Sequence, residues 1–320
     1  MKKISLVIPC FKVKNQILDV IKNIPSEIFH KIYIVNDNCP ENSWKVIEEN
    51  LDILSKDKIK FLHNEINLGV GGATKKGFYE AIKDNQDIIV KMDGDGQMDP
   101  IYLNKLLKTI DNGENDYAKG NRFYNFEGLR GMPKLRLFGN AVLSFIAKLS
   151  HGYWNIYDPN NGYIAVSVKV LKQIPIEKLS NSYFFESDLL FRMNILGAKV
   201  IDIPMNSVYR NEKSNLVIKK IFFEFLKKHF VNFCKRIFYN YYLRNFTIAS
   251  IELPIGIFMF FYGLITGYSN LKYYESIGTA TPEGIMVMKI VLVIIGAQLL
   301  LNFINYDMNS YPKTAINKNL

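Results

Sequence analysis

Residues 87–100 read DIIVKMDGDGQMDP, an apolar run that ends in a cluster of carboxylates. The run predicts a short buried strand followed by a turn. Asp93 and Asp95 are one glycine apart, a spacing that places both carboxylates on one side of an extended chain, and the glycine would let a ligand approach the backbone. Such a pair could hold Mg²⁺ or Mn²⁺ together with the phosphate oxygens of a substrate. The alternative is an acidic turn in which Asp99 and Pro100 cap the next helix.

The chain up to about Pro204 alternates short apolar runs with segments of helical periodicity. The predicted strands are Ile4–Ile8, Lys31–Val35, Ile59–Leu62, Asp87–Met92, Tyr117–Lys119, Tyr163–Ser167 and Lys199–Ile203. Between the first four, helices are predicted at Gln16–Ile24, Ser43–Leu54 and Ala73–Ile82. This alternation predicts an α/β fold with a mostly parallel, Rossmann-like sheet and helices on both faces. Ligands of such sheets bind beyond the carboxyl ends of the strands.

Several polar loops would share that edge of the sheet with the acidic motif. They are Pro9–Phe11, Asn36–Asn38 and the glycine-rich stretch within 64–73. Asp37 is placed to bind a ribose or a base, or else is an ordinary turn aspartate. The glycines open a predicted helix, so they serve a tight turn with positive φ, an anion at the helix N-terminus, or both. Convergence of these loops on one crevice favours a ligand site.

Charged residues farther along the chain are further candidates. Arg122 and Arg136 could pair with phosphate oxygens through their planar guanidinium groups, or be solvated surface charges. Asp158 precedes a predicted strand and could point into the crevice or belong to a turn. Glu186 and Asp188 cannot lie on the same face of the helix that begins near Phe184, so one of them is expected to cap the helix or face solvent.

The net charge of +10 is unevenly distributed: residues 217–245 contain seven Lys or Arg against the single acid Glu224. A basic patch directly before an apolar span is typical of the anionic cytoplasmic face of a membrane rather than of nucleic-acid binding. The cysteines Cys10, Cys39 and Cys234 have no metal-ligand spacing, and their odd number indicates no disulfide framework. The pattern suits a reducing compartment.

The last third of the chain reads as a membrane attachment. Residues 217–245 have cations and apolar residues at helical spacing, which predicts an interface helix or a surface helix packed on the soluble domain. Ile248–Tyr268 and Ile285–Ile304 are each about the twenty residues needed to cross a bilayer. The positive-inside bias places both termini in the cytoplasm. Glu252 and Lys289 are expected to reach towards opposite interfaces.

Three segments are thus predicted. Residues 1–216 form the α/β domain, residues 217–245 form basic juxtamembrane helices, and residues 246–320 form a transmembrane hairpin with a short cytoplasmic tail.

The order of motifs resembles a known family. Ile8-Pro9, Asn36-Asp37, Asn67-Leu68-Gly69, Asp93–Gln97 and Asp158–Tyr163 together are similar to the inverting glycosyltransferases of family 2. With the C-terminal hairpin, the chain looks most like the polyprenyl-phosphate glycosyltransferases. The resemblance implies a GT-A fold, a UDP- or GDP-linked sugar donor, Mg²⁺ or Mn²⁺ at the Asp-x-Asp motif, and transfer to a polyprenyl phosphate, such as undecaprenyl phosphate, at the cytoplasmic membrane. A homo-oligomer is left open.

The same resemblance implies roles for individual residues. The donor would be bound by Pro9, Phe11, Asp37, Asn67, Gly69, Lys75, Asp93 and Gln97. The metal would be held by Asp93, Asp95 and Gln97, and the acceptor phosphate by Arg122, Arg136, Arg210 and Ser214. The catalytic set would be Asp95, Arg122, Arg136 and Asp188.

Two departures from the family pattern leave the donor base open. Phe11-Lys12-Val13 stands where relatives usually have Tyr-Asn-Glu, and Asn36 replaces the first of an Asp-Asp pair. Lys12 or Lys14 could contact the diphosphate instead. These changes also keep open a non-catalytic membrane scaffold of the same fold.

The acceptor decides whether the reaction needs a base. A phosphate monoester is already ionised near neutral pH, with a second pKa of ~6, and requires no strong general base. A sugar hydroxyl would require one, and Asp188 or Glu186 would be the candidates. Direct extension of a glycan by a membrane-attached glycosyltransferase is therefore the alternative enzymatic function.

Overall fold

A computed structural model describes residues 2–50, 56–124, 134–206 and 218–320 of the 320-residue chain. Within these ranges, the side chains of residues 56, 134–137, 140 and 218–222 lie outside the described part. The chain forms two compact units, one of Met1–Phe233 with Pro312–Leu320 and the other of Cys234–Tyr311.

The first unit is built on a sheet whose strand order is β3-β2-β1-β4-β6-β5-β7. The strands are β1 Ile4–Cys10, β2 Lys31–Asn36, β3 Ile59–His63, β4 Ile88–Lys91, β5 Tyr117–Asn121, β6 Ile164–Ser167 and β7 Val200–Pro204. Strand β6 runs antiparallel to β4 and β5, and the other neighbours are parallel. The predicted mostly parallel sheet is confirmed, and each predicted strand is present with its bounds shifted by no more than a few residues.

Helices connect and cover the strands. Those of the first unit are α1 Ile17–Asn23, α2 Ser43–Glu48, α3 Val70–Lys83, α4 Leu103–Asp111, α5 Lys134–His151, α6 Val168–Leu171 and α7 Phe185–Leu196. The next helix, α8 Ile218–Phe238, begins in the first unit and ends in the second. In the second unit, a π-helical turn at Tyr239–Arg244 precedes α9 Ile248–Ser276 and α10 Glu283–Asn309. Helix α2 ends at Glu48, whereas the predicted helix ran to Leu54, and residues 51–55 lie outside the described part.

The core of the first unit lies between the sheet and its helices. The interior strand β1 is buried from Ser5 to Cys10, because helices cover both of its faces. Helix α4 shows how the pattern works locally. Its buried residues Leu103, Leu106, Leu107 and Ile110 follow the three- and four-residue spacing of one helical face, which packs in the core.

The second unit is an antiparallel pair of long apolar helices. Helices α9 and α10 have 29 and 27 residues, and each is long and apolar enough to cross a membrane. They approach closely at glycines: a β-carbon at Gly296 would lie 2.8 Å from the Cα of Phe260. Most of their large apolar side chains are exposed, as expected for a lipid-facing surface.

Lys289 differs from its expected position. It is buried against α9, with its Nζ 4.9 Å from the centre of the Tyr262 ring. The prediction that this side chain extends towards its own interface is therefore wrong, because the ammonium group finds an aromatic partner on the neighbouring helix.

Candidate active site

The strand order reverses between β1 and β4, because the chain first runs outward through β2 and β3 and then crosses back to β4. Parallel sheets bind ligands at such a reversal, beyond the carboxyl ends of the two strands. Val7 is in register with Lys91, and Met92 donates its N–H to the Val7 carbonyl at 3.1 Å. The acidic motif therefore begins beside buried Pro9 and Cys10.

The acidic motif is a turn rather than an extended segment. Strand β4 ends at Lys91, Gly96 has a φ of +76°, and Gln97 donates its N–H to Asp95 Oδ1 at 3.0 Å. The expectation that an extended chain places both carboxylates on one side is therefore wrong. Asp93, Asp95 and Gln97 are each partly exposed at the edge of the sheet, where a ligand can reach them.

Gly94 serves packing and not ligand approach. A β-carbon at this position would lie 2.7 Å from Cδ1 of Ile17 in α1, inside the core. The glycine is required because α1 passes directly against the turn, which corrects the expectation that it leaves room for a ligand.

Lys91 links the acidic motif to α7. Its Nζ lies 2.7 Å from Asp93 Oδ1 and 3.0 Å from Glu186 Oε1. Burial of the ammonium group would lower the pKa of Lys91, but the two carboxylates raise it above its usual value. Sequence reasoning missed this cluster, since a lysine inside an apolar strand gave no sign of a partner 95 residues away.

Glu186 and Asp188 are both buried, so the expectation that one of them caps the helix or faces solvent is wrong. Glu186 pairs with Lys91. Asp188 accepts from the Ser180 N–H at 3.0 Å and from Asn232 Nδ2 at 3.1 Å. Each carboxylate faces a different part of the first unit, as their spacing on the helix requires.

Asp37 holds the loop between β3 and α3. Its buried carboxylate accepts hydrogen bonds from Asn64 Nδ2 at 2.7 Å, Leu68 N at 2.9 Å and Gly69 N at 2.7 Å. Asn67 is exposed and its side-chain oxygen also accepts from the Gly69 N–H. Contact between Asp37 and a ribose stays a prediction, while the described partners of its carboxylate are all groups of the loop.

The glycine-rich turn packs against the segment 180–182. Gly69 has a φ of +85°, so the turn conformation does require glycine. The N–H groups of Gly71 and Gly72, at the start of α3, donate to the Asn181 carbonyl at 2.9 and 3.2 Å. These two N–H groups therefore bind a carbonyl of the protein's own backbone, whereas the sequence had left open an anion at this helix N-terminus.

Lys75 lies one turn farther along α3, and its Nζ donates to the Leu179 carbonyl at 2.9 Å. Partial burial lowers the pKa of Lys75. Its described contacts are thus with the segment that covers the start of the helix, and its predicted role in donor binding stays a prediction.

Arg122 and Asp158 form a two-point ion pair. Arg122 Nε lies 2.7 Å from Asp158 Oδ2, and Nη2 lies 3.0 Å from Oδ1. Burial would raise the pKa of Asp158, but the Arg122 guanidinium and then the Lys119 ammonium hold it below the usual value. Asn161 Nδ2 also donates to Asp158 Oδ2 at 3.2 Å, so the turn at 158–161 fixes the carboxylate that orients the arginine.

The remaining predicted site residues are placed as follows. Phe11 is exposed at the end of β1, with the Lys12 ammonium 5.5 Å from its ring centre. Arg136 lies in α5, but its side chain is outside the described part, and Arg210 and Ser214 lie outside the described residues.

The donor set of the acidic motif fits a hard divalent cation that shares its ligands with a substrate. Within the described ranges, no group of three or more His, Cys, Asp or Glu side chains could hold a metal by itself. The carboxylates of Asp93 and Asp95 and the amide of Gln97 are oxygen donors of the kind that Mg²⁺ and Mn²⁺ accept. Phosphate oxygens would have to complete the coordination.

Comparison with known proteins places this geometry in a family. The chain is 29% identical to a UDP-N-acetylglucosamine–dolichyl-phosphate N-acetylglucosaminyltransferase of Methanococcus voltae, over 70% of this chain and 95% of that protein. It is 24% identical to a dolichol-phosphate mannosyltransferase of Pyrococcus furiosus, over 70% of this chain and 62% of that protein.

Among solved structures, the fold is similar to glucosyl-3-phosphoglycerate synthase of Mycobacterium tuberculosis in complex with Mn²⁺, UDP and glucosyl-3-phosphoglycerate. The TM-score is 0.52 at 15% identity, over 73% of this chain and 80% of that one. Glycosyl transferase family 2 matches residues 5–175, more than half of the chain, a range that includes the acidic motif, Arg122 and Asp158. The chain therefore belongs to glycosyl transferase family 2 and is a glycosyltransferase.

Proposed function

We propose that this enzyme transfers a sugar from a UDP- or GDP-linked donor to a polyprenyl phosphate at the cytoplasmic face of the membrane. The observation that carries the proposal is the presence, in one chain, of an acidic site at the strand-order reversal and a helical hairpin apolar enough to span a bilayer. The relatives from Methanococcus voltae and Pyrococcus furiosus, named for dolichyl-phosphate acceptors, support the same acceptor class.

Asp93, Asp95 and Gln97 would hold Mg²⁺ or Mn²⁺ and, through it, the diphosphate of the donor. The ion would neutralise the charge that develops on the leaving nucleoside diphosphate. Pro9, Phe11, Asn67 and Gly69 would line the donor side. Asp37 and Lys75 would act there by fixing the loops that they contact.

The acceptor phosphate would be bound by Arg122, Arg136, Arg210 and Ser214. Asp158 fixes two nitrogens of Arg122, which orients the guanidinium group. One phosphate oxygen attacks the anomeric carbon as the bond from that carbon to the diphosphate oxygen breaks. A single displacement of this kind inverts the anomeric centre and releases the nucleoside diphosphate.

The contacts of the two buried acids in α7 favour a phosphate acceptor over a hydroxyl. A hydroxyl acceptor needs a general base, whereas a phosphate acceptor is already ionised. Asp188 has both oxygens in hydrogen bonds to Ser180 and Asn232, and Glu186 is paired with Lys91. Neither carboxylate is placed as an available base, so Asp188 would position α7 and α8 and not take a proton.

The connections of the hairpin support a topology with both of its ends on one side of the membrane. Helix α9 follows the first unit, and residues 312–320 after α10 return to it. There the N–H groups of Ile316 and Asn317 donate to Asp116 at 2.9 and 2.8 Å. Two crossings would satisfy this connection, and the basic residues before α9 support a cytoplasmic location for that side.

The test is transfer of label from nucleotide sugars to undecaprenyl phosphate by the full chain in lipid nanodiscs. UDP- and GDP-linked sugars are supplied one at a time with Mg²⁺ or Mn²⁺, and the product is extracted as a lipid and treated with mild acid. We expect acid-labile, lipid-linked label for at least one donor, and loss of the product in Asp95→Asn. Label that enters an added oligosaccharide but never the lipid would instead establish direct glycan extension.

A further inference from the structure

Lys91 occupies a junction of four parts of the active-site domain. It ends β4, its Nζ contacts Asp93 of the acidic motif and Glu186 of α7, and Gly162 passes directly above it. A β-carbon at Gly162 would collide with Lys91 Nζ and would lie 2.7 Å from Asp93 Oδ2. The turn before β6 must therefore be glycine at this point for the three charged groups to meet.

The cluster has little freedom to rearrange. The side chains of Lys91 and Glu186 are 1% and 6% exposed, whereas Asp93 is 29% exposed. Burying an ammonium group is costly unless carboxylates compensate its charge, so the two carboxylates hold Lys91 between them. Asp93 is the one member of the cluster that also faces the crevice. Lys91 therefore acts on the crevice through Asp93.

We propose that Lys91 is a positioning residue that holds Asp93 and keeps the affinity of the acidic motif for a free divalent cation low. The cation then binds tightly only together with the diphosphate of the donor, whose negative charge offsets the ammonium group. This inference rests on the proposed role of the motif in binding metal and nucleotide, and it does not depend on which acceptor receives the sugar.

The sign of the effect separates this role from a merely structural one. Removing the Lys91 charge makes the surroundings of Asp93 more negative, so a free cation should bind more tightly. Removing the Glu186 charge leaves Asp93 as the one carboxylate of the cluster that compensates Lys91. The surroundings of Asp93 then become more positive, so a free cation should bind more weakly. A unit charge ~8 Å from a divalent ion changes its affinity by about tenfold where water screens the charges, and by up to about a thousandfold at an effective dielectric constant of ~20. Loss of structure would weaken binding in both variants.

The experiment measures Mn²⁺ binding directly, by the electron paramagnetic resonance signal of free Mn²⁺ in titrations of the full chain in nanodiscs. Each titration is run without nucleotide, with UDP and with GDP. The variants are Lys91→Met and Glu186→Gln, and the matched control is Lys60→Met. Lys60 forms surface ion pairs with Glu80 and Asp84, so this control makes the same chemical change away from the acidic motif.

We expect the wild-type protein to bind Mn²⁺ at least tenfold more tightly with the accepted nucleotide than without it. Lys91→Met should bind free Mn²⁺ more tightly than the wild type by about tenfold or more, and nucleotide should still strengthen its binding because phosphate oxygens complete the coordination. Glu186→Gln should bind free Mn²⁺ more weakly, and Lys60→Met should be unchanged.

Unchanged or weaker Mn²⁺ binding in folded Lys91→Met would overturn the proposal, as would the absence of Mn²⁺ binding with and without nucleotide. If Lys91→Met does not fold, Glu186→Gln decides the question, because glutamine keeps an oxygen that accepts the buried hydrogen bond from Lys91. An affinity of Glu186→Gln for free Mn²⁺ equal to that of the wild type would refute the charge argument. A wild-type protein that shows the expected binding but transfers no sugar to lipid would refute the proposed acceptor and leave the role of Lys91 standing.

Discussion

Arg122 and Asp158 are joined by two parallel hydrogen bonds, from Nε to Oδ2 at 2.7 Å and from Nη2 to Oδ1 at 3.0 Å. The Arg122 N–H also donates to Asp158 Oδ2 at 3.2 Å, so the carboxylate holds both the backbone and the side chain of the arginine. A two-point pair fixes the plane of the guanidinium group as well as its position. A predicted phosphate ligand is thus oriented by a residue in a different turn.

Asp158→Asn should weaken binding of the lipid phosphate while leaving donor binding nearly unchanged. Asparagine offers one oxygen acceptor where aspartate offers two, and its amide group faces a guanidinium nitrogen. We expect kcat/KM for the lipid to fall about tenfold to a hundredfold, which corresponds to one charge-assisted hydrogen bond. Steady-state kinetics with lipid varied at saturating donor would measure this.

A double-mutant cycle shows whether Asp158 acts through Arg122. If it does, Asp158→Asn should have little further effect in the Arg122→Gln background. Full additivity of the two changes would mean that Asp158 contributes independently of the arginine.

Asp37→Asn separates the two roles considered for Asp37. The variant places an amide against at least one of the donors Asn64 Nδ2, Leu68 N and Gly69 N, at a cost of about 1–3 kcal/mol in stability. If Asp37 only positions the loop, the variant should weaken binding of UDP and of 2′-deoxy-UDP and 3′-deoxy-UDP by the same factor, as measured calorimetrically. With GDP as the accepted nucleotide, the corresponding guanosine compounds are used. A smaller loss for a deoxy compound would establish direct contact with that hydroxyl.

The sequence allowed the sheet and its binding edge to be predicted, but not the contacts made inside them. Short apolar runs such as Ile4–Ile8 predict buried strands without knowledge of any neighbour, and strand alternation then predicts which loops share an edge. The pairing of Lys91 with Glu186 depends instead on where α7 packs over β4. Likewise, Asn181 covers the first N–H groups of α3, which only the folded position of the segment 180–182 reveals.

Asp116 should anchor the C-terminal tail to the first unit. It is buried and accepts from Lys199 N at 2.8 Å, Ile316 N at 2.9 Å and Asn317 N at 2.8 Å. Asp116→Ala leaves these N–H groups without their acceptor, so we expect a loss of about 1–3 kcal/mol in stability. Limited proteolysis should cut within 312–320 at least several times faster than in the wild type.

The matched control for Asp116→Ala is Asp111→Ala. Asp111 is mostly exposed and forms a surface ion pair with Lys2 at 3.5 Å, which is worth little to stability. Equal cleavage rates in the two variants would show that the carboxylate of Asp116 does not hold the tail.

Asp202 should make the first unit less stable as pH rises from about 4 to 6. It lies on β7 in register with Lys119, and burial raises the pKa of its carboxyl to about 6 against the opposing effect of the Lys119 ammonium. Its Oδ2 accepts from Asn121 Nδ2 at 3.0 Å and from Tyr157 N at 2.8 Å. In the unfolded chain the pKa is near 3.9, so the folded protein binds the additional proton between the two values.

The sign of the linkage gives a direct test with Asp202→Asn. Since Asp202 binds a proton more tightly in the folded state than in the unfolded state between pH 4 and 6, its contribution to the free energy of unfolding falls across this range, by an amount on the order of 3 kcal/mol. Asparagine has no charge to desolvate and keeps an oxygen for the two donors. The variant should therefore match the wild type in melting temperature near pH 4.5 and exceed it at pH 7.5. An advantage that is equal at both pH values, or absent at both, would mean that ionisation of Asp202 does not oppose folding.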